Sequence, residues 1–327
     1  MGKTLAYGLL LVGMLLAPIV VYPILLMNLL CFALFACAFN LLIGFTGLLS
    51  FGHAAFFGWS AYITGHVLMT MGWPPLAGIV AGTVAGGAIG LVVGALSIRR
   101  QGIYFTMVTL ALAQMMYFLA LQMEFTRGED GLQGVPRGSL LGLVDLGNDL
   151  NMYYLVLAIF IGGYALIVRI VHSPFGQVLK AIKENEPRAT SLGYRVERYK
   201  LLAFVLSAAL AALAGATKTV VLGFASLTDV HWMMSGTVVL MTLVGGMGTM
   251  IGPVIGAAAV IFLEYQLGWL GKTLAAWTSL DWFNRLGNSV TVVTGCVFII
   301  CVLAFRRGIA GEVKAYWARR KSAKQSL

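Results

Sequence analysis

Charge is what this chain has least of. Asp, Glu, Lys and Arg make up 10% of its 327 residues, where soluble domains carry about a quarter. A soluble reading would need two domains with almost no polar surface. That excludes ordinary soluble folds and selects an integral membrane protein, whose lipid-facing area needs no polar cover. Cysteine is nearly as rare: Cys31, Cys37, Cys296 and Cys301 all lie in apolar runs and form no Cys-x-x-Cys pair. Zinc sites and disulfide frameworks are thereby excluded, and the four read as small buried hydrophobes. His53, His66, His172 and His231 are scattered, without metal-ligand spacing.

Nucleotide-binding signatures are missing too. Gly271-Lys272-Thr273 resembles the end of a phosphate loop, but the motif's first glycine falls on Gln266 and no strand precedes it. Gly246-Met247-Gly248 fails as a dinucleotide fingerprint because its third glycine falls on Ile251. No Ser/His/Asp or Cys/His arrangement is arguable from separation alone. The expectation is a chain that is not an enzyme and binds no cofactor.

What is present is apolar length: 60% of residues are hydrophobic. About 20 apolar residues cross the hydrocarbon core as a helix. Candidate spans are 5–27, 29–49, 53–71, 75–97, 103–122, 151–171, 201–222, 231–248, 250–270 and 289–305. Only Lys3 precedes the first run, which exceeds the core of a cleaved signal peptide and reads as a retained span. The expected fold class is all-α, a polytopic transmembrane bundle of about ten spans (range eight to ten) in a single domain over 1–327. Chain turns near Met27, Phe51 and Gly248 have little room, so broken or re-entrant helices are expected there.

Charge distribution orients the spans. With ten spans and the N-terminus inside, Arg99–Arg100, the 172–200 loop and the basic 306–327 tail all fall inside. The 123–150 loop falls outside, with five acids to two bases, whereas 169–200 has seven bases to three acids. Both agree with the positive-inside rule, which predicts cytoplasmic termini. The net charge of +10 therefore flanks spans instead of lining a groove. This argues against nucleic acid as a partner, while the tail suits anionic membrane lipid.

Gly78, Gly82, Gly86, Gly90 and Gly94 recur every four residues on one helix face. They serve close packing within the subunit or a sliding or subunit-contact surface. Gly47, Gly52 and Gly58 are echoed by Gly248, Gly252 and Gly256, as in transporters with repeated broken helices. Polar residues at membrane depth are costly and should face a cavity or another helix. Asn40, Gln114, Lys218 and Glu264 are such residues, with Lys218 near a span end and expected to snorkel. Asn40, Ser50, His53, Gly246, Gly248, Gly252 and Glu264 are the pathway or helix-packing candidates. Glu264 stands nearly alone, which weighs against a proton-coupled transporter.

One segment breaks the apolar pattern: Ser173 to Lys200, SPFGQVLKAIKENEPRATSLGYRVERYK. Pro174 stops the preceding span, Gln177 to Asn185 can form a short helix, Pro187 can open another and Gly193 can end it. An amphipathic pair on the membrane surface would present Lys180, Lys183, Glu184, Glu186 and Arg188 to a partner; the bland alternative is a solvated connector.

This segment, with KLLAFVLSAALAALAGA after it, is similar to the permeases of branched-chain amino acid ABC transporters. FNLLIGFTGLLSFGHAAFFGWSAYI at 39–63, GIYFTMVTLALAQM at 102–115 and LVGGMGTMIGPVIGAAAVIFLEY at 243–265 carry the same resemblance. The chain looks closest to the M-type membrane subunit. The resemblance implies a second homologous permease, two cytoplasmic ATPases that use ATP and Mg, and an external substrate-binding protein. It also implies a bacterial inner-membrane location and leucine, isoleucine or valine as cargo, with urea or short amides as the alternative within the family. Segment 172–200 then corresponds to the ATPase-coupling loop. The family's Glu-Ala-Ala, three residues, Gly appears here as Pro187-Arg188-Ala189, three residues, Gly193, with Glu186 directly before it. Lys180, Lys183, Glu184, Asn185, Glu186, Arg188, Ala189 and Gly193 are the expected coupling residues, and replacing Glu184, Glu186 and Arg188 should uncouple hydrolysis from uptake. A stand-alone secondary transporter would need more buried ionisable groups, and a structural subunit or receptor would need neither broken helices nor a coupling loop.

Overall fold

The computed structural model describes residues 13–18, 21–140, 142, 144–278, 295, 299 and 308–312. These divide into two compact units, Met1–Gly236 and Thr237–Leu327. The first holds α1 (Pro23–Thr46), α2 (His53–Thr70), α3 (Pro75–Ser97), α4 (Ile103–Gln122), α5 (Asp149–His172), the short α6 (Pro174–Glu184) and α7 (Glu186–Ser191), and α8 (Val196–Leu222). The unit boundary falls within α9 (Trp232–Gly245), and α10 (Gly252–Thr278) follows in the second unit. Apart from short 3-10 turns and two pairs of two-residue strands, the described fold is all-α.

Proline and glycine set the helix ends. Pro23 occupies the first turn of α1, where its missing N–H costs nothing, and Gly47 ends that helix at φ +76°. The expected chain turn at Met27 does not occur: α1 runs straight through it, and the helix begins at Pro23 instead. Asn148 caps α5 by accepting from Leu150 N–H, while Arg169 and His172 sit in its last turn, where cations complement the helix dipole. Ser173 then caps α6 by accepting from Gly176 N–H at 3.3 Å.

Among the described residues, five helices are long and apolar enough to cross a bilayer: α1, α3, α4, α5 and α8. Together they make this a multi-pass membrane protein. α2 also has 18 residues, but His53, Trp59, Ser60, Tyr62 and His66 dilute its apolar character, and it is buried over most of its length. It is an interior helix that meets protein, not lipid. α9 is shorter, and its 14 residues rise only about 21 Å, less than the ~30 Å hydrocarbon core. The predicted tenth span and the 306–327 tail fall mostly outside the described residues.

α8 is the axis of the first unit. Its Ala and Gly residues let neighbours approach closely, the condition for dispersion-driven packing where lipid supplies no hydrophobic drive. The α3 glycine ladder lies directly on it. A Cβ at Gly86 would strike Ala212 and one at Gly90 would strike Ala208, while one at Gly94 would stand 2.8 Å from the Phe204 ring. The ladder therefore packs within the subunit. The opposite surfaces of α3 and α4 leave Val84, Val92, Leu96, Ile103, Tyr104 and Met107 exposed, an apolar surface suited to lipid.

At one end of this unit the 123–150 loop is tied to the end of α8. Strand β1 (Leu132–Gln133) pairs antiparallel with β4 (Phe224–Ala225), Leu132 opposite Ala225, and β2 (Ser139–Leu140) pairs with β3 (Val144–Asp145). Arg137 bridges Asp149 at 2.6 Å and donates to Val221 O at 2.8 Å. The other end carries the 172–200 segment.

In the second unit, α9 and α10 join through residues 246–251. Gly246 (φ +113°) and Gly248 (φ +72°) take conformations open to glycine. A Cβ on Gly256 would collide with the Met241 carbonyl, and one on Gly245 with the Gly252 carbonyl, so the crossing is backbone against backbone.

Candidate functional site

The 172–200 segment forms two short helices as expected, but the first begins at Pro174, not Gln177, because Ser173 caps it and proline fits its first turn. Phe175, Val178, Leu179 and Ile182 recur at helical spacing along α6 and turn its apolar side to the protein, the pattern of a half-buried helix. Ile182, Ala189 and Val196 make a small core with Val178 and Tyr199. Asn185 separates the helices and caps α7 by accepting from Arg188 N–H at 3.0 Å. Gly193, at φ +87°, turns the chain toward α8.

The predicted coupling residues divide into two groups. Glu184, Arg188 and Gly193 are exposed, beside Leu192 (70% exposed) and Tyr194. Lys180 is half-buried, its ammonium 5.9 Å from the Phe45 ring. Lys183 and Asn185 are exposed too, but with Glu186 and Ala189 they hold the segment together. Lys183 Nζ donates to Gly44 O at 2.7 Å, and its stem lies over Gly47. Glu186 pairs with Lys200 at 2.7 Å and accepts from Gln101 Nε2 at 3.4 Å. Ala189 is buried, and Asn185 serves as a cap. A cavity of about 200 Å³ lies among Thr46, Gly47, Gln101, Lys183, Glu186 and Lys200.

The interior candidates Asn40, Ser50 and His53 are all buried in the first unit. The 47–52 break joins α1 to α2, and two of its backbone groups are met by side chains: Ser50 Oγ accepts from Gly52 N–H, and Thr106 Oγ1 donates to Leu49 O at 2.9 Å. At the start of α2, Ala54 N–H donates to Ser235 Oγ at 2.8 Å. Ser207 gives its hydroxyl proton to Ala38 O at 2.6 Å, so it accepts from His53 Nε2 at 2.9 Å. His53 is then the Nε2–H tautomer. Its Nδ1 is buried without a partner among the described residues, and the edges of Phe39, Phe56 and Phe204 enclose the ring.

In the second unit, Gly246, Gly248 and Gly252 build the α9–α10 break, where Thr249 Oγ1 accepts from Gly252 N–H at 3.1 Å. Glu264 is half-buried on α10. The two breaks share a plan, since each spans six residues between helices (47–52 and 246–251), opens on a positive-φ glycine and contains a hydroxyl that accepts from the glycine starting or capping the next helix.

Sequence reasoning missed the partner of Lys218. This lysine does not snorkel to an interface. It is buried, 2.5 Å from the buried carboxylate of Asp229, with its ammonium 5.5 Å from both the Phe32 and Phe57 rings. The 3-10 turn Leu227–Asp229 dips against α2 so closely that a Cβ on Gly58 would stand 2.8 Å from Asp229 C. An acid 11 residues beyond an intramembrane lysine was the available signal, because a charge at such depth needs an opposite one.

Residues 22–306 match the protein family described as branched-chain amino acid transport system, permease component. The high-affinity branched-chain amino acid transport system permease protein LivM of Salmonella typhimurium is 28% identical over 268 residues, covering 71% of this chain and 62% of that protein. LivM of Escherichia coli K12 shows the same identity and coverage. The autoinducer 2 import system permease protein LsrC of Klebsiella pneumoniae is 30% identical over 182 residues, 54% of this chain and 50% of LsrC. The alignment thus spans about three fifths of the LivM relatives' length.

Proposed function

The chain belongs to the branched-chain amino acid transport permease family, and from that premise we propose that it forms the transmembrane pathway of an ATP-driven ABC importer. The cargo is leucine, isoleucine and valine, handed over by an external binding protein. A second homologous permease completes the pathway, and two cytoplasmic ATPases, using ATP and Mg, drive it. The chain itself carries out no hydrolysis. It sits in a bacterial inner membrane with about ten spans as one permease domain, both termini and the basic 306–327 tail on the cytoplasmic side.

One observation carries the driving mechanism in this reading: the 172–200 segment projects two short helices whose free face bears Glu184, Arg188 and Leu192. This face is the ATPase-docking surface. Closure of the ATPases moves the docked segments as rigid bodies and tips the permease between two access states. The shift requires different contacts in the two states, which an exposed charged and apolar face can make. The buried groups Asn40, Ser50 and His53, the glycine break Gly246–Gly252 and Glu264 serve the pathway or its packing.

The test is reconstitution of the chain with its genomic-neighbour permease, ATPases and binding protein in proteoliposomes, measuring radiolabelled leucine, isoleucine and valine uptake. The expected result is uptake that needs ATP inside, the ATPases and the binding protein. Uptake by this chain without ATPases would sink the proposal in favour of a secondary transporter. Full importer activity toward autoinducer 2, but not toward the three amino acids, would leave the importer class standing and replace the cargo.

A further inference from the structure

We infer that Glu186 is a positioning residue: with Lys200, Lys183 and Gln101 it clamps the coupling segment to three other parts of the bundle. This rests on the proposed docking role of the segment but assigns Glu186 away from the docking face. The reason is mechanical. α6 and α7 have 11 and six residues and a small apolar core of their own, so a push on their exposed face can be absorbed by local sliding unless polar contacts hold them. Three such contacts converge here. Lys183 Nζ is bonded to Gly44 O in the last turn of α1. Glu186 Oε1 holds Lys200 Nζ near the start of α8 and also accepts from Gln101 in the α3–α4 turn. Ser173 continues the chain directly from α5 and caps α6.

Lys200 is itself buried, and a buried ammonium needs its counter-charge. Glu186 is therefore occupied by a partner within the chain, whereas Glu184 and Arg188, two residues to either side, remain free for an outside surface. The clamp holds α1, the α3–α4 turn and α8 to the coupling segment as one body, so that displacement of the segment reaches α8, which runs through the packed interior.

The experiment uses the complete importer in proteoliposomes and reads three quantities: ATPase subunits retained on purification, ATP hydrolysed, and substrate moved per ATP. Glu186→Lys is expected to keep the ATPases bound and hydrolysing while substrate per ATP falls by about tenfold or more, because it sets a like charge against the Lys200 ammonium and opens the clamp. The swapped pair Glu186→Lys with Lys200→Glu is expected to recover that ratio to within about threefold, the signature of direct coupling in a double-mutant cycle. Glu186→Gln keeps the side-chain volume and is expected to lower the ratio in the same direction, which covers the case where Glu186→Lys fails to fold. Wild-type ratios in every Glu186 variant that assembles, or a swap no better than the single variants, would overturn the inference. So would a transport loss that merely follows loss of the ATPases, since Glu186 would then be a docking contact. The docking reading is tested apart from this by Arg188→Glu and Leu192→Ala: if both leave ATPase retention unchanged, that reading fails whatever Glu186 does.

Discussion

Two lysines on α8, Lys200 and Lys218, are buried to nearly the same degree, 5% and 7% exposed, yet their surroundings differ. Lys200 pairs with Glu186, whose side chain is 31% exposed at the edge of the 172–200 segment. Lys218 pairs with Asp229, which is 2% exposed, inside a ring of Phe32, Phe57 and Phe224. Eighteen residues separate the lysines, or about 27 Å of helix, close to the thickness of a hydrocarbon core. One helix thus carries a water-accessible pair toward one end and a dry pair toward the other. The pair with one member near water can rearrange at little cost. The pair that ties the Leu227–Asp229 turn to α8 has no such freedom.

The sharpest way to break this contrast is Lys218→Met. It leaves Asp229 buried without a counter-charge and should destabilise the protein by about 3–5 kcal/mol, read as a fall in the detergent-solubilised thermal midpoint. The double variant Lys218→Met with Asp229→Leu should recover most of that loss, since replacing both members of a buried pair by apolar groups is often near neutral. If the double variant is no better than the single one, the dry pair has a role beyond mutual neutralisation. Gly90→Val comes next. The added methyls must displace Ala208 and spread α3 from α8, an overpacking cost of about 1–3 kcal/mol; an unchanged midpoint would mean the two helices separate freely. Ser173→Ala removes the cap of α6 and should cost about 1 kcal/mol, visible as faster amide exchange confined to 174–184. The smallest effect belongs to Glu186→Gln, whose half-exposed pair should change global stability by no more than about 1 kcal/mol. A loss as large as that of Lys218→Met would erase the distinction between the two pairs.

Local structure was legible where it depends on neighbours in the chain. Pro187 announces the second helix start and Gly193 the stop, because a fixed proline φ and a positive glycine φ each act within one turn. The first start was misplaced to Gln177, since Pro174 was read only as a stop and not as the first turn of a helix capped by Ser173. The glycine ladder Gly78 to Gly94 was legible as a packing face for the same reason, although the surfaces that received it, Ser60 to Leu68 on α2 and Leu201 to Ala216 on α8, were not. The expected coupling residues were read as one exposed group. Helical spacing shows which residues share a face, but not that Gly44 and Gln101, from other elements, stand beside Lys183 and Glu186. The turn expected at Met27 was misplaced because both flanking runs are equally apolar, and the proline at 23 decided the helix start.

Membrane residence, the helical class and the family resemblance follow from composition and short motifs, since the bilayer imposes its demands on any apolar stretch and each helix satisfies its own backbone. The tertiary structure alone decided which charge met which. Lys218 and Asp229 are joined only because the chain bends back after α8, and Glu186 meets Lys200 and Gln101 only because three elements end at the same level. An ion pair between separate elements is a property of their packing, and packing distance has no expression in sequence separation.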